Sequence, residues 1–347
     1  MLSLDVIRDK ALGCFVGSAV GDALGMPSEG MSKTEIREKF GNITDYSESQ
    51  SCFSRGLQRG QWTDDTALFK ATLDGFFDAL LSPVLNWNDL SPLQTKVLHR
   101  YLEAVKDHTR GFGKTTRESL KDRLEGLDPH DGRHQKRPGN GCAMKGAAVG
   151  LVMWLFEKLR GVAPGDQIFD ELALSIGILT HGDSRSLTAG LLQGLAAYEA
   201  LEGMDLRSMA FANLLRRRLH KWEQFLAPLD GPPNLSDVLP WVWMFSEQDE
   251  EFIADIIKTS GAAYESFPTA LCFAIKYQDD FRSAVLAGAN AGGDTDTIAC
   301  MSGALVGARV GLTGVPEEWQ RGLEKYDELV ETVDRLITVI QTVTIVL

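Results

Sequence analysis

The amino-acid sequence predicts an all-α protein that folds as a single compact multi-helix domain. Apolar residues recur at the spacing of a buried helix face, as at Leu68, Ala71 and Phe76. The strict apolar–polar alternation of a half-buried strand is scarce, and no alternating strand–helix pattern appears. No low-complexity linker divides the 347 residues, so we expect one domain over 1–347.

Two of the predicted helices are unusually rich in small residues. Glycine and alanine recur over 13–21 and again over 303–308. Glycine inside a helix costs about 1 kcal/mol relative to alanine, and this cost is usually tolerated where another helix or a ligand comes very close. Taken singly, each of these glycines favours tight packing between helices.

Segment 60–66, with the sequence GQWTDDT, runs directly into a predicted helix. Threonine and aspartate ahead of an apolar helix are ordinary N-cap residues, and negative charge there complements the helix dipole. A cap needs a single side-chain acceptor, whereas Thr63, Asp64 and Asp65 offer several oxygen atoms. Because adjacent carboxylates repel one another unless a cation holds them together, the segment also indicates a cation site.

Segment 290–299, with the sequence NAGGDTDTIA, repeats this arrangement much later in the chain. Asp294, Asp296 and Thr297 stand at a glycine-led helix start, where a decorated N-cap is again the alternative. An EF-hand is excluded because no glycine and glutamate follow at the required offsets. All-oxygen donors suit Mg²⁺, Mn²⁺ or Ca²⁺ and disfavour zinc. If the two segments converge, they would hold two ions about 4 Å apart, as in two-metal hydrolytic sites.

Segment 137–146, with the sequence RPGNGCAMKG, opens another predicted helix. Glycines at a helix start leave backbone N–H groups free for an anion such as phosphate. An asparagine–glycine turn explains Gly139, Asn140 and Gly141 equally well. His181, in the later segment THGD, is by itself more often a structural hydrogen-bonding residue than a catalytic one.

The charge and cysteine content exclude several classes of protein. The chain carries 35 basic and 48 acidic residues, a formal net charge of −13. This surplus argues against wrapping nucleic acid and against docking on an anionic membrane. Five cysteines scattered singly fit a reducing compartment. No signal-peptide pattern or membrane span is expected, and the short apolar stretch 336–347 favours a packed tail over an anchor, so we expect a cytoplasmic location.

Five segments taken together resemble the ADP-ribosylglycohydrolase family, which includes the hydrolase that reactivates dinitrogen reductase and the ADP-ribosyl-acceptor hydrolases. In the order of that family they are GDALG at 21–25, TDDT at 63–66, GNG with the following methionine at 139–144, TH at 180–181 and GGDTDT at 292–297. The stretch 206–260 matches no family feature that we can assign, and we interpret it as an insertion that varies among members.

The resemblance implies an all-α fold with two Mg²⁺ ions, or Mn²⁺, in a central binuclear cleft. The implied metal ligands are Thr63, Asp64, Asp65, Asp294, Asp296 and Thr297. Gly139, Asn140 and Gly141 fall where the family binds the diphosphate of ADP-ribose, and His181 falls where the family contacts the substrate. Lys145 is a departure, because relatives commonly place arginine there, and it affects the expected packing or phosphate contacts.

Glu29 matches the loop acid that moves in some relatives, and we expect it to transfer protons during catalysis. A carboxylate held on a metal ion does not easily shuttle protons. Asp64 and Asp65, which are also expected to be catalytic, would stabilise the oxocarbenium-like state formed as the glycosidic bond breaks. The expected reaction is the removal of ADP-ribose from a modified protein side chain, with arginine as the acceptor.

Other acceptors and other classes of function stay open. The run GGDTDTIA at 292–299 is equally similar to serine-directed relatives, so ADP-ribosyl-serine or a small O-acyl-ADP-ribose is the alternative substrate. An immunity protein that neutralises an ADP-ribosyltransferase toxin, by binding it or by hydrolysis, belongs to a different class, as does a relative that has lost catalysis. The presence of Glu29 and of all four aspartates favours a working enzyme.

Overall fold

The computed structural model describes residues 2–81, 84–127, 137–161, 165–226 and 234–346. Most of this described chain is helical, which confirms the all-α fold expected from the sequence. The α-helices in these ranges are, in chain order, α1 (Leu4–Gly25), α2 (Lys33–Phe40), α3 (Asp64–Leu80), α4 (Ser91–Ala104), α5 (Lys114–Leu124), α6 (Ala143–Arg160), α7 (Asp166–Gly177), α8 (Ser184–Glu202), α9 (Met209–Leu226), α10 (Leu235–Val238), α11 (Val242–Phe245), α12 (Glu250–Ile257), α13 (Ala263–Lys276), α14 (Phe281–Ala289), α15 (Thr295–Val310), α16 (Glu317–Gly322) and α17 (Tyr326–Thr342). None of these described helices combines the length and apolar character that a membrane crossing requires.

Two short strands, β1 (Val84–Asn86) and β2 (Thr344–Val346), form a parallel pair. In this pair, the segment that follows α17 lies alongside the segment that follows α3. Leu336 and Ile340, on the preceding turns of α17, are buried in the core. One face of the end of α17 therefore packs inward.

The antiparallel pair of α1 and α15 forms the centre of the fold. Gly13, Gly17, Gly21 and Gly25 lie about one helical turn apart on the face of α1 that meets α15, and the positions they face run backward along α15. A methyl group at Gly21 would lie 2.1 Å from the backbone oxygen of Ala299, so only glycine permits this approach. The packing brings the C-terminal end of α1 against the N-terminal end of α15.

A second pair, α6 and α8, packs in the parallel direction. Methyl groups at Gly146 and Gly150 would lie 2.3 and 2.0 Å from the backbone oxygens of Gly190 and Gly194. Because the contact positions advance together along both helices, the helices run the same way. The segments that precede them, the glycine turn before α6 and the histidine segment before α8, therefore lie side by side.

The described part of 206–260 contains α9 to α12, and residues 227–233 lie outside the described ranges. α9 packs against α8 and buries Phe211 in the core. The segment that follows α12 reaches the acidic start of α15, because the backbone N–H of Asp294 donates to the backbone oxygen of Thr259 at 2.7 Å. This region is therefore joined to the candidate site through its C-terminal end.

Candidate functional site

The two Thr/Asp segments lie side by side where three helix ends meet. Asp22 stands near the C-terminal end of α1, Asp64 and Asp65 open α3, and Asp296 lies in the first turn of α15. Oγ1 of Thr297 donates to Oδ1 of Asp65 at 3.4 Å, which links the two segments directly. The fold thus brings together the residues that a shared cation site requires.

Asp22 is a fully buried carboxylate that caps α3 from a different helix. It accepts hydrogen bonds from the backbone N–H groups of Thr63 and Thr66 at 3.0 Å and from their hydroxyls at 2.9 and 2.6 Å. These donors occupy the acceptor positions of the carboxylate, so Asp22 holds the start of α3 in place. No role for Asp22 followed from the sequence, although an aspartate within a helix of small, apolar residues is itself a signal of a buried polar contact.

Carboxylate oxygens gather into two adjoining groups. One oxygen from each of Asp22, Asp65 and Asp296 lies within 4.8 Å of the other two, and the same limit holds for Glu29, Asp294 and Asp296. Oδ2 of Asp65 is buried and has no hydrogen-bond partner in the described part of the chain. A buried, unpartnered oxygen beside other carboxylates is what a cation ligand requires, and the all-oxygen donor set fits Mg²⁺ or Mn²⁺.

Burial and mutual repulsion raise the pKa of Asp64, Asp65 and Asp296. The pKa of Asp64 is raised to about 7, first by burial and then by the charge of Asp22. Burial also raises the pKa of Asp65 and Asp296 well above the ordinary value, and neighbouring carboxylates add to this effect. Buried like charges are unfavourable unless positive charge compensates them, and divalent cations would supply that charge.

Glu29 faces this cluster from a segment that is bonded to the start of α15. It follows a 3₁₀-helix, Met26–Ser28. The backbone N–H of Gly30 donates to the oxygen of Gly293, and the N–H of Gly293 donates to the oxygen of Met31, both at 2.7 Å. Gly293 has a φ of +73°, a conformation that favours glycine. This paired contact sets the position of the Glu29 side chain relative to the aspartates.

The environment of Glu29 favours its protonated form. Burial, followed by the charges of Asp294 and Asp64, raises the pKa of Glu29 to about 9, while a hydrogen bond with Ser51 opposes the shift. A carboxyl group kept in the acid form beside a cavity is suited to donate a proton.

The glycine turn before α6 is bonded to the acidic cluster. Nδ2 of Asn140 donates to Oδ2 of Asp294 at 2.7 Å. The backbone N–H of Asn140 donates to the oxygen of Gly261 at 2.9 Å, so an anion at this turn would use N–H groups from Gly141 onward. The side chain of Asn140 therefore orients a carboxylate of the cluster, a contact between distant segments that the sequence did not indicate.

His181 packs against the same turn. A methyl group at Gly141 would lie 2.4 Å from Cε1 of the His181 ring, so only glycine permits this approach. The residue is 3% exposed, and Nδ1 of its ring lies 3.0 Å from Oγ1 of Thr180. Burial, followed by the positive charge of Lys145, lowers the pKa of His181 to about 3. His181 is therefore neutral over the physiological pH range.

A cavity of about 200 Å³ opens onto these groups. It is lined by the following residues that the sequence predicts for the site: Glu29, Asp64, Asp65, Gly139, Asn140, Gly141, His181, Asp294, Asp296 and Thr297. Thr63 lies behind them, where its hydroxyl donates to Asp22 and accepts from the N–H of Asp65 at 3.4 Å. The lining also includes residues that the sequence did not assign to the site: Gly111, Gly113, Lys114, Thr115, Thr116 and Gly261. A larger groove of about 490 Å³ lies between α2, α12 and α14, and its lining includes no residue of the two adjoining carboxylate groups described above.

Comparison with known proteins gives a consistent result over nearly the whole chain. The family model described as ADP-ribosylglycohydrolase matches residues 3–344. The ADP-ribosylhydrolase ARH3 of Bos taurus is 27% identical, with 91% of this chain and 89% of that protein covered. The ADP-ribosyl-[dinitrogen reductase] glycohydrolase of Rhodospirillum rubrum is 26% identical, with 94% and 92% covered. A solved structure described as an ADP-ribosylglycohydrolase-related protein complex covers 98% of this chain and 100% of its own, with a TM-score of 0.67 and 24% identity, which supports the fold.

Proposed function

Because the chain belongs to the ADP-ribosylglycohydrolase family, and is therefore a glycohydrolase that acts on ADP-ribose-modified substrates, we propose that it uses two Mg²⁺ ions to remove ADP-ribose from modified arginine side chains of proteins. The observation that carries this proposal is the pair of adjoining carboxylate groups, with an unpartnered oxygen of Asp65, at the base of a cavity. The proposed cation ligands are Thr63, Asp64, Asp65, Asp294, Asp296 and Thr297.

The residues around the cluster have separate roles in this proposal. When bound, the cations supply positive charge that orients the distal ribose and acidifies water. Asp22 and Asn140 hold the start of α3 and the carboxylate of Asp294 in place. Glu29 transfers the proton that the leaving side chain or the attacking water requires. Neighbouring carboxylates stabilise the positive charge that develops on the ribose as the glycosidic bond breaks.

The glycine turn and His181 would bind the diphosphate, which lies away from the bond that is cut. Backbone N–H groups at the start of α6 favour an anion, and His181 adds a neutral side chain beside them. Binding energy from this remote group positions the reacting bond. At about 200 Å³ the cavity is smaller than typical pockets for a whole small molecule, which are about 300–1,000 Å³. We therefore place the ribose end in the cavity and the adenosine end outside it.

A protein substrate is supported by the name of the Rhodospirillum rubrum relative, which acts on ADP-ribosyl-dinitrogen reductase. Arginine is the proposed acceptor because arginine-directed members predominate among the bacterial examples of the family that the sequence resembles. ADP-ribosyl-serine, or a small O-acyl-ADP-ribose, is the second candidate. It is favoured by the run GGDTDTIA at 292–299, which is equally similar to serine-directed relatives.

The direct test is the release of ADP-ribose from arginine-modified and serine-modified proteins, measured in Mg²⁺ and in EDTA. We expect release from the arginine substrate in Mg²⁺ only. Release from serine alone would replace arginine with serine as the acceptor. Release that persists in EDTA, or no release from either substrate, would overturn the proposal.

Two cluster variants assign the ligands. Asp64→Ala and Asp296→Ala should each abolish release while the far-ultraviolet circular dichroism stays helical. Asp327→Ala, which removes an exposed aspartate at the start of α17, is the matched control and should retain activity. Full activity in either cluster variant would remove that residue from the site. An inactive variant that still neutralised an ADP-ribosyltransferase toxin would indicate an immunity role instead.

A further inference from the structure

Lys145 places an ammonium group inside the protein, directly behind the glycine turn and His181. The side chain lies in the first turn of α6 and is 1% exposed. Its Nζ donates to the backbone oxygen of Gly141 at 2.6 Å and to Oγ1 of Thr180 at 2.5 Å. A buried ammonium is costly unless it is hydrogen-bonded, so these two acceptors explain how it is accommodated. The ammonium group does not line the cavity. It contacts Gly141, which lines the cavity, and Thr180, which precedes the lining residue His181.

The hydroxyl of Thr180 has one proton and three neighbours that could accept it: Nδ1 of His181, the backbone oxygen of Gly177 and the sulfur of Cys142. Oγ1 already accepts from Lys145, and it lies 3.0 Å from Nδ1 of His181 and 3.4 Å from the backbone oxygen of Gly177. The Gly177 oxygen also accepts from the backbone N–H groups of Thr180 and His181, both at 3.1 Å, and from the thiol of Cys142. A thiol sulfur is a weak acceptor, and the Gly177 oxygen is already saturated and lies farther away, so the hydroxyl proton goes to Nδ1.

This arrangement determines which nitrogen of His181 carries the proton. A neutral imidazole has one nitrogen that donates and one that accepts. The hydrogen bond made by one ring nitrogen therefore determines whether the other nitrogen carries the proton. Nδ1 accepts from Thr180, so the ring proton is on Nε2. Nε2 has no hydrogen-bond partner in the described ranges, and it faces the glycine turn: methyl groups at Gly139 and Gly141 would lie 3.1 and 3.0 Å from it.

We propose that Lys145 and Thr180 are positioning residues that hold His181 as the neutral Nε2–H tautomer, whose N–H donates to an anionic oxygen of the ADP-ribose diphosphate. The identity of this ligand rests on the proposed function, whereas the tautomer rests on the hydrogen bonds alone. The buried ammonium acts through Thr180: it fills one of the two lone pairs of Oγ1, and its positive charge disfavours an Nδ1–H dipole directed at the same oxygen. The donor is therefore fixed before the substrate arrives, so no reorganisation is needed on binding.

The tautomer can be measured without ligand or turnover. Long-range ¹H–¹⁵N spectra of histidine-labelled protein resolve the ring nitrogens of its six histidines, and the His181 signals are assigned by their loss in His181→Gln. We expect the Nε2–H pattern in the wild type. Thr180→Val, which keeps the shape but removes the hydroxyl, and Lys145→Met, which keeps the length but removes the charge, should both introduce the Nδ1–H form. Thr180→Ser restores the hydroxyl and should retain the wild-type pattern.

Calorimetric affinity for ADP-ribose supplies the second measurement. We expect Thr180→Val and Lys145→Met to weaken binding about tenfold, the effect of one lost hydrogen bond to a charged group, while Thr180→Ser binds within about twofold of the wild type. An Nδ1–H pattern in the wild type would overturn the proposal even if the variants failed to fold. A changed tautomer with unchanged affinity would overturn the assigned contact. Failure of the wild type to bind ADP-ribose, with the Nε2–H pattern present, would count against the proposed function instead.

Discussion

Replacing Asp65 or Asp22 by asparagine should change stability in opposite directions when divalent cations are absent. Both carboxylates are buried, and an oxygen of one lies within 4.8 Å of an oxygen of the other. Their hydrogen bonding differs. Asp22 accepts from the backbone and hydroxyl groups of Thr63 and Thr66, whereas Oδ2 of Asp65 has no partner among the described residues.

The change at Asp65 removes repulsion and loses little in return. Two unit charges 4.8 Å apart repel by about 3.5 kcal/mol at an effective dielectric constant of about 20. Burial raises the pKa of Asp65, and any proton that the carboxylate takes up lowers this repulsion. We therefore expect Asp65→Asn to raise the free energy of unfolding by about 1–3 kcal/mol in EDTA. The new amide can donate to neighbouring carboxylates, and its oxygen can keep the hydrogen bond from Thr297.

The change at Asp22 relieves the same repulsion but disrupts the start of α3. The carboxylate of Asp22 accepts hydrogen bonds at both of its oxygens from Thr63 and Thr66. Whichever way the new amide is turned, its NH₂ group replaces one of these oxygens and faces donors instead of accepting from them. A buried donor left without an acceptor costs about 1–3 kcal/mol, and hydrogen bonds to a charged acceptor weaken when the charge is removed. One orientation leaves the hydroxyl of Thr63 without its acceptor, and the other leaves both donors of Thr66 without theirs. Together with the weakening of the bonds that remain, the losses of about 2–6 kcal/mol then exceed the relief of about 1–3 kcal/mol, so we expect the free energy of unfolding to fall by about 1–3 kcal/mol in EDTA.

Urea denaturation near neutral pH, first in EDTA and then in saturating Mg²⁺, measures both effects. A cation that binds only the folded state at a hundred times its dissociation constant adds about 2.7 kcal/mol. The wild type and Asp22→Asn should show such a gain, and Asp65→Asn should lose most of it. Asp327→Asn, an exposed control, should stay within about 0.5 kcal/mol of the wild type in both buffers.

Two outcomes would refute this reasoning. If Asp65→Asn were less stable than the wild type in EDTA, repulsion among the carboxylates would not outweigh the other interactions at that position. If Asp65→Asn gained as much stability from Mg²⁺ as the wild type, Asp65 would not be a cation ligand. The slope of the unfolding free energy against urea concentration must be the same for each variant as for the wild type, because a different slope would indicate altered compactness of one of the states.

Two further predictions concern Glu29 and the central helix pair. Burial raises the pKa of Glu29 from 4.5 to about 9, so across that interval the metal-free folded chain holds a proton that the unfolded chain has released. The free energy of unfolding should therefore fall as the pH rises, and Glu29→Gln should flatten this slope in EDTA; an unchanged slope would contradict the shift. Gly17→Ala should lower the free energy of unfolding by about 1–3 kcal/mol, because the methyl group would lie 2.7 Å from the Gly303 oxygen. Gly165→Ala, at the N-cap of α7, would place its methyl group more than 4 Å from the described atoms other than those of its chain neighbours. It should therefore change the free energy of unfolding by no more than about 1 kcal/mol, the effect of a poorer cap, and equal changes at both positions would refute the close contact.

Part of the candidate site could be predicted because its signals are local. Thr63, Asp64 and Asp65 precede one apolar helix, and Asp294 and Asp296 begin another. Caps and helix starts depend on residues a few positions apart, so these patterns are readable in a single sequence. The small residues likewise predicted close helix packing, and the contact between α1 and α15 has that character.

The contacts that assemble the site join residues far apart in the chain, and local patterns do not report them. Asp22 lies in the interior of a helix, yet it caps a different helix through Thr63. Asn140 looks like a turn residue, yet its amide is bonded to Asp294. Lys145 stood out only as a departure from the family, and the structure gives it a buried hydrogen-bonding role.

The sequence by itself determined the helical class, the family and the identity of most candidate ligands, because helix periodicity, capping and short motifs are written over a few residues each. Only the tertiary structure decided which of these residues meet. The glycine contacts between α1 and α15 bring the two acidic helix starts together, and the parallel packing of α6 on α8 places His181 beside the glycine turn. Both depend on backbones that approach within the reach of a methyl group, and such an approach is set by packing across the whole fold.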